Sequence, residues 1–532
     1  MAWDARLFQS TLPALAAASI TPFAIAQEEL SADGLRVATW NVTTFSGGLT
    51  QDVQNVVYGV FDGRCLCPDI ILAQEFTTSS AVSSFRNALN SAPGSPGDWA
   101  AGQLGNSPSG IDVVMFYRTA KVQLLGDTVV SQGSGSPNHP RDLIRSDIQL
   151  VGFPGELGTI SLYNTHMKAG TTTTDRSRRL EEAEELRDDA ATLPAGRHII
   201  LGGDFNMRSS TEDAYAELIR NDGRNGRLFD PISRPGTWNN SGSIRNLHSQ
   251  DPIGGGGMDD RFDQLLISEA LFDGVGLEYI GDVGTPFKLY SSSDPLPWLD
   301  PNHSYRTWGN DGSSFNSSLR TTGNTMVGPV IASSLRTLAD NGGHIPVYFD
   351  LAVPADFEAT AADGSPLQAF ETSDPVEPGG FVRFDFVVRH LVDSELWGNG
   401  VADFEYTVTA TDGNAFLLPE LPTGESTFTL SAGESRVHSA FVTVANVGFE
   451  LAPIRIEPTL PGFAPVEFTV VGEAVADECL PDIDESGSLD IDDFSAFVTA
   501  FFAGDAKADQ NEDGVLDIDD FSRFVTNFFA GC

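Results

Sequence analysis

Carboxylates, amides and imidazoles recur in this chain at the ends of short apolar runs, an arrangement suited to phosphodiester chemistry. The clearest case is Leu201-Gly202-Gly203-Asp204-Phe205-Asn206, which follows Ile199-Ile200. On a strand, a period of two aims Asp204 and Asn206 at one side. An acid there can hold a water nucleophile, and an amide can donate to a phosphoryl oxygen. Taken alone, Asp-x-Asn is also ordinary turn chemistry. Other runs are of the same kind. Val37-Ala38-Thr39-Trp40 ends in Asn41, and Ile70-Ile71-Leu72-Ala73-Gln74 ends in Glu75. Ile160-Ser161-Leu162-Tyr163 leads to Asn164 and His166 on one expected face, with Lys168 beyond them. Arg261-Phe262 precedes Asp263, and Gly342-Gly343 precedes His344 and the apolar Ile345-Pro346-Val347.

In this order, from about Leu35 to Leu351, the motifs resemble the endonuclease/exonuclease/phosphatase superfamily. That metal-dependent fold is shared by secreted DNases, abasic-site endonucleases, sphingomyelinases and inositol polyphosphate phosphatases. The resemblance implies Mg2+ or Mn2+ ligated by Glu75 and contacted by Asn41. It implies His344 as the base that takes a proton from the attacking water, with Asp263 fixing its tautomer. His166 would donate to the phosphate or the leaving oxygen, with Asn164 orienting it or touching phosphate. Asp204 and Asn206 would position the nucleophile and stabilise the pentacovalent transition state. Lys168, Tyr117 and Arg118 are expected on the phosphate side, whereas Asp259 and Asp260 read as solvated loop acids. One motif departs from the family pattern. Gly342-Gly343-His344 stands where the family usually carries Ser-Asp-His, and that acid normally helps the metal site. Asp340 is the nearby acid expected to replace it in part.

Positioning such groups takes alternating strands and helices, an α/β texture that runs to about residue 353. The resemblance sharpens this to a four-layer α/β sandwich over residues 27–353. Arg176 to Thr192 reads as a helix with a solvated, charged face. Gly281 to Thr325 is long and carries Trp298, Tyr305, Trp308 and Phe315. It is expected to be a substrate-side lid, with simple packing as the alternative. Residues 354–475 change to short Val/Phe/Thr runs between turn clusters such as Glu377-Pro378-Gly379-Gly380, which predicts an all-β, Ig-like sandwich acting as a spacer.

The tail, residues 479–532, is an internal repeat. Twelve residues beginning at Asp482 recur 27 residues later, beginning at Asp509. Oxygen-bearing side chains fall at Asp482, Asp484, Ser486, Asp490 and Asp493, and again at Asp509, Asn511, Asp513, Asp517 and Asp520. Gly487 and Gly514 stand at the turn position. This is calcium-loop grammar of the EF-hand kind, which predicts Ca2+ in both copies. Asp at the twelfth position, and no full helix before each loop, resemble a dockerin-type module. That resemblance implies a cohesin-like or cell-surface partner.

Arg6, an apolar stretch from Leu12 to Ile25 broken by Pro13 and Pro22, and Ala24-Ile25-Ala26 before Gln27 form a secretory leader pattern over residues 1–26. No later run suggests a transmembrane segment, so a secreted or cell-surface-associated protein is expected. Four cysteines fit export; Cys479 with Cys532 is the natural pair, which leaves Cys65 and Cys67 as a tight local disulfide, with half of a metal site as the lesser alternative. A formal charge of −43 argues against a protein that wraps nucleic acid by bulk attraction. A hydrolase can still attack DNA or RNA through a small basic groove. The expected function is therefore a secreted, metal-dependent phosphodiesterase, most simply a nuclease. A sphingomyelinase-like lipid enzyme or a phosphatase of the same fold, and a catalytically impaired calcium-dependent scaffold protein, are the alternatives.

Overall fold

The computed structural model describes residues 34–531 other than 154, 341, 373, 399, 411–414, 418–426, 461–462 and 476–478. The expected leader and Cys532 lie outside the described residues, and with Cys532 lies the expected Cys479–Cys532 pairing. Cys65 and Cys67 are joined to each other.

The strands that carry the chemical motifs are, in chain order, β1 (Leu35–Phe45), β2 (Ile70–Phe76), β3 (Trp99–Ala101), β4 (Asp112–Arg118), β5 (Val122–Ser131), β6 (Leu143–Leu150), β7 (Thr159–His166), β8 (His198–Asp204), β9 (Leu228–Phe229), β10 (Asp263–Ser268), β11 (Glu278–Tyr279), β12 (Arg306–Thr307) and β13 (Val347–Ala352). One sheet runs β11-β13-β1-β2-β4-β3, with β12 on β13; the other runs β5-β6-β7-β8-β10-β9. Leu35, Val37, Ile70 and Leu72 of the first sheet share a core with Ile160, Leu162, Ile200 and Leu265 of the second. Strands buried on both faces read as continuous apolar runs, which is why the motifs stood out. On the other face of the first sheet, Trp40, Ile71 and Ala73 pack against the helices α1 (Thr50–Tyr58), α2 (Ser79–Ser91) and a later helix at Gly328–Ala339.

Helix α3 (Thr173–Ala190) keeps the expected solvated face at Arg176, Glu184 and Asp188 but also buries charged residues on its other side. Arg179, Glu182 and Arg187 are essentially inaccessible, and Arg179 forks onto Glu212, the residue just before the next helix, at 2.5 Å. Buried charges are tolerated when paired in this way. The expected lid is likewise core. Trp298, Tyr305 and Trp308 are 3%, 0% and 1% exposed, and the Trp308 indole donates to Val56 O at 3.1 Å. Packing, the alternative reading, describes these three residues.

Residues 355–474 form a four-stranded and a five-stranded sheet with a common core that includes Val382, Phe386, Tyr406, Val408, Ile454 and Val470. The expected boundary at 353–354 is bridged by packing. Val392, Trp397 and Val401 are buried in the core of the first two sheets. The Trp397 ring meets Phe153 edge-on at 6.0 Å, and the Lys121 ammonium lies 5.1 Å from its centroid. Gly34 N donates to Trp397 O, and Val353 N to Gly400 O, both at 2.8 Å.

In the tail, the helices Ile491–Ala503 and Ile518–Ala530 start in matching capping boxes, Asp490 with Asp493 and Asp517 with Asp520. Phe497 and Phe524, equivalent in the repeat, stack at 4.3 Å. Each loop closes alike: Gly487 N donates to Asp482 Oδ2 and Gly514 N to Asp509 Oδ2, both at 2.8 Å. Among the described residues, no helix is long and apolar enough to cross a membrane.

Candidate active site

Strand register gathers the motifs at one end of the two sheets. His166 on β7 lies beside Asp204 on β8, which lies beside Asp263 on β10. In the facing sheet Asn41 pairs with Gln74, so Glu75 follows immediately beside it. Thr39 pairs with Val347 on β13, which brings His344, three residues earlier, to the same end.

The side chains then meet. Asn41 Nδ2 donates to Glu75 Oε1 at 3.0 Å and to Asp204 Oδ2 at 3.2 Å, joining the two sheets. His166 Nε2 lies 3.3 Å from Asp204 Oδ2 and 3.9 Å from Glu75 Oε1. His344 Nδ1 bonds Asp263 Oδ2 at 2.6 Å, and its Nε2 lies 3.6 Å from Asp204 Oδ2. Ser249 Oγ donates to the same Asp263 oxygen at 2.6 Å. Glu75 Oε2 accepts from both the backbone and the hydroxyl of Thr44, at 2.8 and 3.1 Å.

The backbone around this cluster is strained. Thr43, Thr44, Glu75 and Asn206 all have positive φ, between 49° and 67°. Left-handed residues other than glycine are uncommon, β-branched ones most of all, and such strain collects at functional sites. Asn206 is also placed differently from the strand-alternation expectation. β8 ends at Asp204, and Asn206 N turns back to Asp204 Oδ1 at 3.0 Å while its amide donates to Met167 O at 3.1 Å. An Asx turn, the ordinary reading of Asp-x-Asn, keeps the pair together.

Burial and charge set the protonation states. Burial, then Arg141 and His344, hold His166 well below the usual histidine value, so it is neutral at pH 7. Burial works to lower His344 too, but Asp263, Asp204 and Glu75 outweigh it and raise it to about 10. Asp204 is pushed up to about 6 by burial, with Asp263 and Glu75 adding to the rise and His344 opposing it.

Four expected residues stand apart. Asn164 spends its amide between the sheets, accepting from Gln74 Nε2 at 2.8 Å and donating to Ala73 O and Val114 O at 3.1 and 3.2 Å. Its capacity is used up in bracing β2 and β4. Lys168 is tied to Asp175 at 3.1 Å and to Ala169 O. Tyr117 and Arg118 are a correction. β4 runs antiparallel to β2, so Tyr117 pairs with Ile70, five residues before Glu75. That separates it from the cluster by roughly 16 Å along the strand. Arg118 is moreover held by Asp98 at 2.5 Å and Asp69 at 3.4 Å.

Other members were not legible from spacing. Arg141 donates to His166 O and Met167 O at 3.4 and 3.1 Å, and its charge bears on Asp204 and Glu75. Its only local signal is a lone arginine before an apolar strand. Asp340, the expected substitute for the missing acid, is exposed at the end of its helix. The acid that comes up to the glycine pair is Asp251 instead. Its backbone N donates to Gly343 O at 2.8 Å, and a Cβ on Gly342 would lie 3.5 Å from its Oδ1. Asp260, expected to be solvated, is buried and accepts from Asn239 Nδ2 at 2.6 Å.

Strand ends that bring a Glu, an Asn, an Asp-x-Asn and an Asp–His pair to one point agree with the sequence comparison. The profile described as the Endonuclease/Exonuclease/phosphatase family matches residues 38–316. The chain belongs to that family. Its members are generally hydrolases of phosphodiester bonds and typically depend on a divalent metal. No curated protein matches the chain. Among solved structures, the catalytic domain of human nocturnin with bound sulfate is similar over 61% of this chain and 96% of its own, at 12% identity and a TM-score of 0.34. Beta toxin from Staphylococcus aureus is similar over 59% and 99%, at 14% identity and 0.33. An endonuclease/exonuclease/phosphatase from Beutenbergia cavernae is similar over 82% and 100%, at 13% identity and 0.30.

The donor set fits a hard divalent cation. Glu75 Oε1 and Asp204 Oδ2 both face the Asn41 amide, and oxygen ligands of this kind suit Mg2+ or Mn2+.

Proposed function

We propose that this chain is an exported, divalent-metal-dependent phosphodiesterase that hydrolyses nucleic acid. The observation that carries the reading is the convergence of Glu75, Asn41, His166, Asp204 and the His344–Asp263 pair from six separate segments on one point. Mg2+ or Mn2+, held by Glu75 and Asn41, would polarise the phosphodiester. The chain's own groups do the rest. Asp204 is the acceptor for the water proton, because burial leaves it basic enough to take one near neutrality. His344, first expected as the base, retains its proton in this field, so it acts as an imidazolium against the phosphate, oriented by Asp263. Neutral His166 donates from Nε2, Asn206 keeps Asp204 in place, and Asn164 acts one step back by bracing β2. Arg141 supplies positive charge beside the site, and Lys168, paired with Asp175, stays outside it.

Nucleic acid is favoured over lipid by the burial of Trp298, Tyr305 and Trp308, which removes the aromatic segment that could have entered a membrane. The scaffold alternative is disfavoured because both histidines and all three carboxylates of the cluster are present and aligned. Residues 354–475 would act as a spacer. The matching loops support a dockerin-like tail with Ca2+ at Asp482, Asp484, Ser486, Asp490 and Asp493, and at Asp509, Asn511, Asp513, Asp517 and Asp520. A cohesin-like or cell-surface partner follows from that reading, as secretion follows from the leader.

The test is hydrolysis of plasmid DNA, structured RNA and sphingomyelin vesicles by the full chain with Mg2+ or Mn2+, beside His344→Ala. Metal-dependent cleavage of DNA or RNA that is lost in the variant is expected. Cleavage of sphingomyelin alone would transfer the function to the lipid reading, and no turnover of any substrate would refute the nuclease.

A further inference from the structure

Two short hydrogen bonds meet on one oxygen of the site. Asp263 Oδ2 lies 2.6 Å from both His344 Nδ1 and Ser249 Oγ. The other carboxylate oxygen, Oδ1, is buried, and among the described residues it receives no hydrogen bond. The plane of the Asp263 carboxylate is therefore set at Oδ2, where serine and imidazole share it. Ser249 is 0% exposed, and its hydroxyl has a fixed sense. Asp263 N donates to Ser249 Oγ at 3.2 Å, and a hydroxyl has one proton to give. With a backbone N–H directed at its oxygen, that proton goes to the carboxylate.

The backbone of the same residue holds the other member of the pair. Ile345 N donates to Ser249 O at 2.9 Å, Gln250 pairs antiparallel with His344, and Asp251 N donates to Gly343 O at 2.8 Å. Ser249 N is tied in turn to Asp260 O at 2.8 Å, at the start of the segment that leads to Asp263. One serine thus joins the segment that presents Asp263 to the segment that presents His344, 81 residues further on. A buried carboxylate needs donors in any case, and that alone would make Ser249 structural. Two features go further: the bond falls on the oxygen that holds His344 while Oδ1 goes without, and the backbone fixes the His344 segment as well.

From this arrangement we propose that Ser249 is a positioning residue for the hydrolysis: it fixes the plane of the Asp263 carboxylate and, through it, the direction in which the His344 imidazole faces the phosphate. Its effect on turnover rests on the phosphodiesterase reading; its effect on the Asp263–His344 bond does not. Hydrogen bonds to an ionised acceptor are the strong ones, and a small misplacement of a reacting group costs rate steeply. The loss therefore falls on kcat more than on substrate binding.

The experiment has two arms, both on the full chain. In hydrolysis, Ser249→Ala should lower kcat by about 10- to 100-fold, as expected for one hydrogen bond to a charged group, with KM changed by less than about twofold. Ser249→Thr keeps the hydroxyl and should recover most of the loss. In an Asp263→Asn background Ser249→Ala should cost little more, because the group it acts through is already changed. The second arm needs neither substrate nor metal. With isotope-labelled histidine, the Nδ1 proton of His344 is identified in the NMR spectrum by its loss in His344→Gln. Its exchange with water should quicken by about tenfold or more in Ser249→Ala. The ring proton of buried His198, which lies against Thr159 O and Val275 O, should keep its wild-type rate. Wild-type kcat in Ser249→Ala, additive losses in the double variant, or unchanged exchange at His344 overturns the proposal. Equal quickening at His198 overturns it too, since that is a general loosening of the fold. If wild type turns over no substrate, the phosphodiesterase reading falls and the exchange rates alone decide this inference. If Ser249→Thr does not fold by circular dichroism, the double variant takes its place.

Discussion

Gly343→Asp would restore the acid that this family usually carries, and it should harm the protein. A Cβ at 343 would lie 1.9 Å from Thr43 Oγ1 and 2.2 Å from Ala339 O. Both contacts are more than 1 Å inside the ordinary carbon–oxygen separation of about 3.3 Å. Thr43 could in principle turn, but Ala339 O belongs to the last turn of a helix and cannot. Overpacking of this kind costs about 1–3 kcal/mol. The new carboxylate would also enter a field already held by Glu75, Asp204 and Asp263, so about 3 kcal/mol is the expected loss. For the first domain that corresponds to a fall in Tm of roughly 6–12 °C. Thermal unfolding of the full chain measures it, with hydrolysis assayed alongside. Thr43→Ala in the same molecule should recover only part of the loss, because the carbonyl contact remains. A Gly343→Asp protein with unchanged Tm and faster hydrolysis would show that the backbone yields there and that the steric argument is wrong.

Three further outcomes follow from the same geometry. Trp397→Ala should destabilise the first core by about 3–5 kcal/mol although it lies beyond residue 353, and a chain cut at 353 should bind a hydrophobic dye; a variant with wild-type unfolding would mean that the bridge carries no load. His344 is raised to about 10 from an ordinary 6.5, so its stabilising effect is complete below pH 6.5 and is lost as pH climbs towards 10. Metal-free protein should therefore weaken between those values by an amount on the order of a few kcal/mol, and His344→Gln should flatten the slope; parallel pH curves would count against the assignment. Asp263→Asn should lower kcat by about 10²–10⁴-fold with the fold retained by circular dichroism, and near-normal turnover would remove the pair from the mechanism.

Much of the candidate site was legible in the sequence because its signals are local. A buried strand must be apolar, so a polar residue at its end is conspicuous, and Asn41, Glu75, His166, Asp204 and Asp263 each announce themselves within a few residues. The repeated tail loops are local in the same sense, since the glycine turn and its acids lie within twelve residues. What stayed hidden depends on partners far along the chain. Tyr117 and Arg118 point to the wrong end only because β4 pairs antiparallel with β2. The 298–308 aromatics look like a lid until Val56, some 250 residues earlier, accepts the Trp308 indole. Whether residue 343 has room for a side chain is decided by Thr43, and which acid stands beside it by a loop ninety residues away. Strand ends and turns are written in neighbouring residues, because backbone hydrogen bonding and side-chain alternation act over a few positions. Register, burial and the sum of charges at a point arise only when distant segments pack, and those three quantities set the proton on His344, the role left to Asp204 and the closure of the site at Gly343.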